Sequence, residues 1–186
     1  MYIPGDYEDI TRNGRYIKAI DYILDFALDV NTPEYVFPVY ANSFGLACVM
    51  HAVSRNNRIV SIINSNYYDE ALEISRAVLP TETFLYDEFD AEVLDELFDD
   101  ITVYSKMSQS LTAEKITTDA QLKEYFIATA TFSDDDKDQE DEYVAVVEGI
   151  NFPFIGLAFS PEKVLFNAAT TLDDYIDTSI DAVRHA

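Results

Sequence analysis

The sequence is short of several features that mark particular classes of protein. Its single cysteine, Cys48, excludes an internal disulfide. Only two histidines are present, His51 and His185, so a catalytic imidazole would have to be one of them. No stretch approaches the roughly 20 apolar residues of a membrane span, no basic and then apolar signal region opens the chain, and no Asn-x-Ser/Thr sequon occurs. We therefore expect no membrane insertion.

Basic residues are also scarce. Twelve Lys and Arg stand against 35 Asp and Glu, which gives a net charge of -23. A field of that sign repels the phosphates of nucleic acids and anionic lipids, so neither is an expected partner. It suits a basic partner, or it simply keeps the protein soluble. With 186 residues, 48% of them hydrophobic, and no repeat or linker, we expect one globular domain over 1–186.

The hydrophobic pattern indicates an α/β protein. A helical period over 13–30 predicts an amphipathic helix, and the apolar run over 36–40 predicts a buried strand in which Pro38 fits only an end or an edge. The expected inner face of the first helix consists of Tyr16, Ile17, Ile20, Ile23, Leu24, Ala27 and Leu28. Further strands are expected at 58–64, 103–111 and 126–132, helices at 90–98, 119–125 and 170–184, and a helix or strand-bearing loop at 66–78.

An acidic run over 133–142 separates two expected strands. An EF-hand loop starting at Asp134 would place Gln139 at its glycine position and Ala145 at its bidentate Glu position, so the calcium pattern fails. We interpret the run as a solvated hairpin loop and expect no metal or cofactor.

The segment from Ala41 to Gly45 links the strand over 36–40 to an apolar helix over 46–53. A strand, a sharp turn and a helix form the geometry of a nucleophile elbow, which presents one side chain beside the first amides of the helix. Ser43 lies at that turn. The alternative is that Ser43 only caps the helix, since serine is a favoured N-cap residue.

A second informative stretch is 142–163, two apolar strands joined by a turn at Gly149-Ile150-Asn151 and followed by Ser160-Pro161-Glu162-Lys163. It resembles the catalytic strand pair of the gamma-glutamyl hydrolases, in the class I glutamine amidotransferase superfamily, whose second strand ends in His-Pro-Glu-Lys. The resemblance places Ser160 where that family has its catalytic histidine and Glu162 on the third member of a Cys-His-Glu triad.

The resemblance extends along nearly the whole chain in order. Residues 37–46 resemble the nucleophile segment Phe-Pro-Val-Trp-Gly-Thr-Cys-Leu-Gly-Phe, with Ser43 on the cysteine and Gly45 kept. Residues 1–6 resemble the strand end Phe-Pro-Gly-Gly, with Gly5 kept and Asp6 on the second glycine. Residues 89–94 and 122–126 resemble Phe-Pro-Thr-Glu-Leu-Leu and Leu-Lys-Lys-Phe-Phe, and the substrate-site segment Asn-Phe-His falls on 105–107, ending at Met107.

The family implies a three-layer α/β/α, flavodoxin-like sheet. Its members carry strand and helix units before the Pro-Gly turn, so we expect this chain to lack the first of these units and to expose a sheet edge that a protein partner covers. Active relatives are lysosomal or secreted, whereas the absence of a signal region favours an intracellular assembly here.

Two serines in place of cysteine and histidine lead to our functional expectation. Serine is a poor nucleophile without a positioned base, so the sequence predicts a catalytically inactive pseudoenzyme that serves as a structural subunit of an assembly. The vestigial triad is then Ser43, Ser160 and Glu162, and the residues that the resemblance places in a vestigial pocket are Gly5, Asp6, Gly45 and Met107. One alternative is a binding module for a glutamylated ligand, with Lys106 and Lys163 as the nearest cations. Another is a residual hydrolase that depends on Ser43.

Overall fold

A computed structural model describes residues 1–4, 14–32, 34–55, 61–62, 68–73, 75–76, 83, 102–106, 109–133 and 142–159. The helices are α1 (Gly14–Val30), α2 (Phe44–Ser54), α3 (Ala113–Thr118) and α4 (Leu122–Tyr125). The strands are β1 (Tyr2–Ile3), β2 (Val39–Asn42), β3 (Ser61–Ile62), β4 (Tyr68–Glu73), β5 (Ser75–Arg76), β6 (Thr102–Lys106), β7 (Gln109–Ser110), β8 (Phe126–Ser133), β9 (Glu142–Gly149) and β10 (Phe154–Leu157).

Six of these strands form one mixed sheet in the order β1-β2-β10-β9-β8-β5. β1 and β10 run parallel to β2 on its two sides, whereas β10, β9, β8 and β5 pair with one another antiparallel. The remaining described strands form the two-stranded pairs β3–β7 and β4–β6. The parallel strands β2 and β10 lie next to each other in the sheet, so their carboxyl ends meet at one edge.

Helix α2 is the most deeply buried helix that the structure describes, with eight of its 11 residues buried. It is apolar on nearly every side because it packs between the sheet and the amphipathic helix α1. α1 contributes Ile20, Leu24 and Ala27 to the core. Leu28, which the helical period placed on the same inner face, is 42% exposed. That part of the prediction is wrong, because Leu28 borders an open cleft between α1 and the end of α2.

Strand β2 starts three residues later than the apolar run suggested. Val36 is 62% exposed, and the ladder begins at Val39, immediately after Pro38. Proline has no N–H to donate to a ladder, so it stands just outside the strand, as expected for a strand end.

Residues 66–78, which the sequence left open, form strands β4 and β5 where they are described. Helix α3 was not predicted. The expected helices at 90–98 and 170–184 and the acidic residues 134–141 lie outside the described part of the chain. In that described part, no helix is long and apolar enough to cross a membrane.

Candidate functional site

Ser43 occupies the sharp turn between β2 and α2. Its backbone has φ 47° and ψ −123°, the conformation of the first central residue of a type II′ turn, where glycine is usual. Its N–H donates a 2.8 Å hydrogen bond to the Leu157 carbonyl at the end of β10, and its carbonyl accepts one of 3.3 Å from the Ala47 N–H. This is the backbone geometry of a nucleophile elbow.

The alternative role for Ser43, a side-chain cap, is wrong. Ser43 holds the N-cap position of α2, but its side chain makes no capping hydrogen bond. The strained backbone therefore has no explanation in capping, and strain of this kind is common at functional sites.

We predict that Ser43→Gly will stabilise the protein by about 1 kcal/mol, because glycine adopts this φ and ψ without the steric cost that serine carries. Ser43→Ala keeps the Cβ and the strain, so it serves as the control and should not be stabilising. Urea unfolding of the three proteins measures the difference. Equal stabilities of the glycine and alanine variants would show that the turn stores no strain.

Gly45 lets the end of β1 approach the first turn of α2. A Cβ on Gly45 would lie 2.3 Å from the Ile3 carbonyl oxygen and 2.9 Å from that of Pro4. The Tyr16 hydroxyl on α1 donates a 2.5 Å hydrogen bond to the same Pro4 carbonyl, and burial raises the pKa of Tyr16, with smaller contributions from Cys48 and Tyr2. This close approach and this hydrogen bond thus hold the end of β1 against both the elbow and α1.

The remaining predicted site residues, Gly5, Asp6, Met107, Ser160 and Glu162, lie outside the described residues. The sheet register nevertheless fixes where the chain leaves β10. Leu157 pairs with Asn42 in parallel strands, and each strand ends there. Ala158, the residue after β10, therefore lies at the same edge as Ser43, and its N–H donates a 2.8 Å hydrogen bond to the Ala145 carbonyl on β9.

His51 lies two turns into α2. It is half-buried, and its Nδ1 has no hydrogen-bond partner among the residues that the structure describes. Burial lowers the pKa of His51 below its usual value of 6.5, and Asp21 on α1 opposes this shift. His51 is therefore a packed helix residue.

The lowered pKa gives a pH dependence with a definite sign. Below pH 6.5 the unfolded chain protonates His51 more readily than the folded protein does, so the contribution of His51 to stability is complete above that pH and falls on acidification. We expect stability to decrease less between neutral pH and about pH 5 in His51→Gln than in the wild type. Thermal unfolding across this range measures it. An NMR titration that places the pKa of His51 above 6.5 would contradict the prediction.

Two side chains at the centre of the fold were missed by the sequence analysis. Glu148 on β9 is only 2% exposed, and Asn42, directly before the elbow, is fully buried and accepts a 3.1 Å hydrogen bond from the Tyr2 hydroxyl. The only sequence signal for Glu148 was a charged residue ending the apolar run 143–147. Cys48 is fully buried, as expected of a small apolar side chain. Among the described residues, no cluster of His, Cys, Asp or Glu is suited to hold a metal ion.

The fold is a mixed sheet with an elbow at the carboxyl end of a parallel strand. The solved structure of a GMP synthase subunit from Thermoplasma acidophilum matches 87% of this chain and 62% of its own, with a TM-score of 0.50 at 12% identity. The chain thus has an α/β fold of the class I glutamine amidotransferase type.

Sequence comparison finds similar proteins at low identity. No protein-family model matches the chain. Gamma-glutamyl hydrolase B of Dictyostelium discoideum is 21% identical over 163 residues, which is 88% of this chain and 46% of the relative. Gamma-glutamyl hydrolase 1 of Arabidopsis thaliana is 24% identical over 171 residues, 92% of this chain and 48% of the relative. The chain is homologous to gamma-glutamyl hydrolases, and it spans about half the length of these curated relatives.

Proposed function

We propose that the chain is a catalytically inactive gamma-glutamyl hydrolase homologue that serves as a structural subunit of a protein assembly. The observation that carries the proposal is a serine at the strained elbow, where the family resemblance puts a cysteine. The proposed vestigial site comprises Ser43, Ser160 and Glu162, with Gly45 beside the elbow.

The position of His51, the one histidine among the residues that the structure describes, supports inactivity. A serine nucleophile needs a base within about 3.2 Å. His51 is eight residues along α2 from Ser43, which corresponds to roughly 12 Å of helix rise. The charge that acts on His51 is that of Asp21 on α1. Ser43 itself is only 3% exposed, so a substrate would have little access to its hydroxyl.

The sheet edge supports a structural role. β1 contributes only two paired residues and lies at one end of the six-stranded order. Its outer edge pairs with no described strand. Tyr2 on this strand is 49% exposed, and an exposed edge with an aromatic side chain is a surface to which another strand can add. We propose that a protein partner adds to this edge.

A hydrolysis assay tests inactivity. Wild-type protein and Ser43→Ala are incubated with a gamma-glutamyl peptide, and released glutamate is measured. Both should match the buffer blank, because loss of a triad member removes several orders of magnitude in rate. Turnover by the wild type that disappears in Ser43→Ala would establish a Ser43-dependent hydrolase instead.

The native mass of the endogenous protein, with identification of co-purifying chains, tests the structural role. The proposal requires a mass well above the 21.1 kDa of one chain and a partner in fixed stoichiometry. An isolated, well-folded monomer would refute the assembly while leaving the assay result unaffected. In that event, thermal shift with polyglutamylated peptides would test the binding-module alternative.

A further inference from the structure

A cleft of about 370 Å³ lies at the far end of α2 from the elbow. It is lined by α1, the end of α2, α4, the first residue of β8 and the loop between β9 and β10. Eleven residues separate Arg55 at the cleft from Phe44 at the start of α2, roughly 16 Å of helix rise, so the cleft is separate from the elbow. The floor of the cleft is apolar and buried, and its side chains are Leu24, Ala52, Phe126 and Phe152.

Charged residues of both signs also line the cleft. Asp21 and Asp25 lie one turn apart on α1, and residues at that spacing share a helix face. Arg55 reaches the cleft from the end of α2, and Gln121 adds an amide. Among the described residues, neither aspartate forms an ion pair with Arg55. A bound molecule would therefore meet a carboxylate side and a guanidinium side.

The backbone of Arg55 places its side chain at this point. Arg55 ends α2 in the left-handed conformation, with φ 54° and ψ 18°, and its N–H donates a 3.0 Å hydrogen bond to the His51 carbonyl. Non-glycine residues are uncommon in this region of backbone space. The carbonyl end of α2 is also the negative end of the helix dipole, which favours a cationic group nearby.

We propose that this cleft binds a zwitterionic amino acid with an apolar side chain, an activity separate from the proposed structural role. The ligand's ammonium group faces Asp21 and Asp25, and its carboxylate pairs with Arg55, since a guanidinium binds carboxylates in a two-pronged geometry. Its side chain rests on the apolar floor. The volume suits a molecule of this size, since small-molecule sites begin at about 300 Å³. A simple anion is disfavoured by the net charge of -23.

Calorimetry with three compounds that share a phenylethyl group tests which charged groups of the ligand the cleft recognises. L-Phenylalanine carries both charges, phenethylamine lacks the carboxylate and phenylpropionate lacks the ammonium group. We expect L-phenylalanine to bind and each truncated probe to bind about tenfold or more weakly, because each loses a charge-assisted hydrogen bond. The absence of phenylalanine binding at millimolar concentration would overturn the proposal. So would equal binding of phenethylamine, which would make the cleft a simple amine site.

Variants of the cleft residues identify which charged group of the ligand each side of the cleft binds. Arg55→Gln should weaken the binding of phenylalanine about tenfold and leave the binding of phenethylamine unchanged. The double variant Asp21→Asn with Asp25→Asn should weaken the binding of both compounds. The matched controls are Arg15→Gln and Asp29→Asn, which change exposed charges on α1 outside the cleft lining. A control that weakens binding as much as its cleft counterpart would show that net charge, and not the cleft, determines affinity. Melting temperatures establish that each variant is folded.

Discussion

Gly45→Ala is expected to destabilise the protein by about 3 kcal/mol, even though alanine is the better helix former by about 1 kcal/mol. The new Cβ would lie 2.3 Å from one backbone carbonyl oxygen and 2.9 Å from another, on Ile3 and Pro4. A flexible side chain could rotate away from such a contact. These are main-chain atoms of the last residue of β1 and of the residue that follows it, and β1 is fixed by its pairing with β2. Relief therefore requires β1 to separate from α2.

The melting temperature measures this effect. About 3 kcal/mol corresponds to a fall of roughly 6–12 °C for a protein of this size. Gly14→Ala is the matched control, because no atom lies within 4 Å of a Cβ at that position in α1. It should be neutral or slightly stabilising. A Gly45→Ala variant as stable as Gly14→Ala would mean that the strand end is not packed against the elbow helix.

The same contact connects stability with function. The chain after Pro4 continues to Gly5 and Asp6, which the family resemblance assigns to the vestigial pocket. The close approach at Gly45 holds the entry to that segment beside Ser43, although catalysis is proposed to be lost. Selection for the packing of the fold is sufficient to retain this glycine, so Gly45 alone does not indicate an active site.

The local parts of the fold were predictable because their signal is carried by adjacent residues. The period of α1 marks one buried face, and α2, β8 and β9 are buried along most of their length. Helix α3 was missed because its sequence, Ala-Glu-Lys-Ile-Thr-Thr, has only Ile116 as a large apolar residue and two β-branched threonines. Its helical form comes from packing of buried Ile116 against the sheet, where α3 contacts β8 and β9.

Features that depend on distant residues were not predictable from the pattern. The elbow was foreseen as strand, turn and helix, but the 47° φ of Ser43 reflects the bond between its N–H and Leu157, 114 positions further along the chain. The burial of Glu148 depends on its neighbours across the sheet, Ile127 and Ile155. The cleft combines residues from four elements, so only the folded chain brings Asp21 and Arg55 to one opening.

Phe154→Ala is expected to cost about 3–5 kcal/mol, the usual range for removing a buried aromatic side chain. Phe154 is 2% exposed and opens β10, the strand that pairs with β2 on one side and β9 on the other. Its ring centroid lies 5.1 Å from that of Phe126 and 5.8 Å from that of Phe152. Alanine would leave a cavity within this aromatic cluster and weaken the strand that fixes the end of the elbow.

Phe26→Ala is the matched control for Phe154→Ala, since Phe26 is 52% exposed and its one ring contact among the described residues is with Phe37 at 5.3 Å. Its loss should cost about 1 kcal/mol or less. Urea unfolding measures the free energy of unfolding of each variant. Near-ultraviolet circular dichroism follows the aromatic cluster in the folded state. Similar costs for both variants would mean that β10 is not a central strand, and the pairing of β10 beside the elbow would lose its support. A cost confined to Phe154 would support the register on which the vestigial site depends.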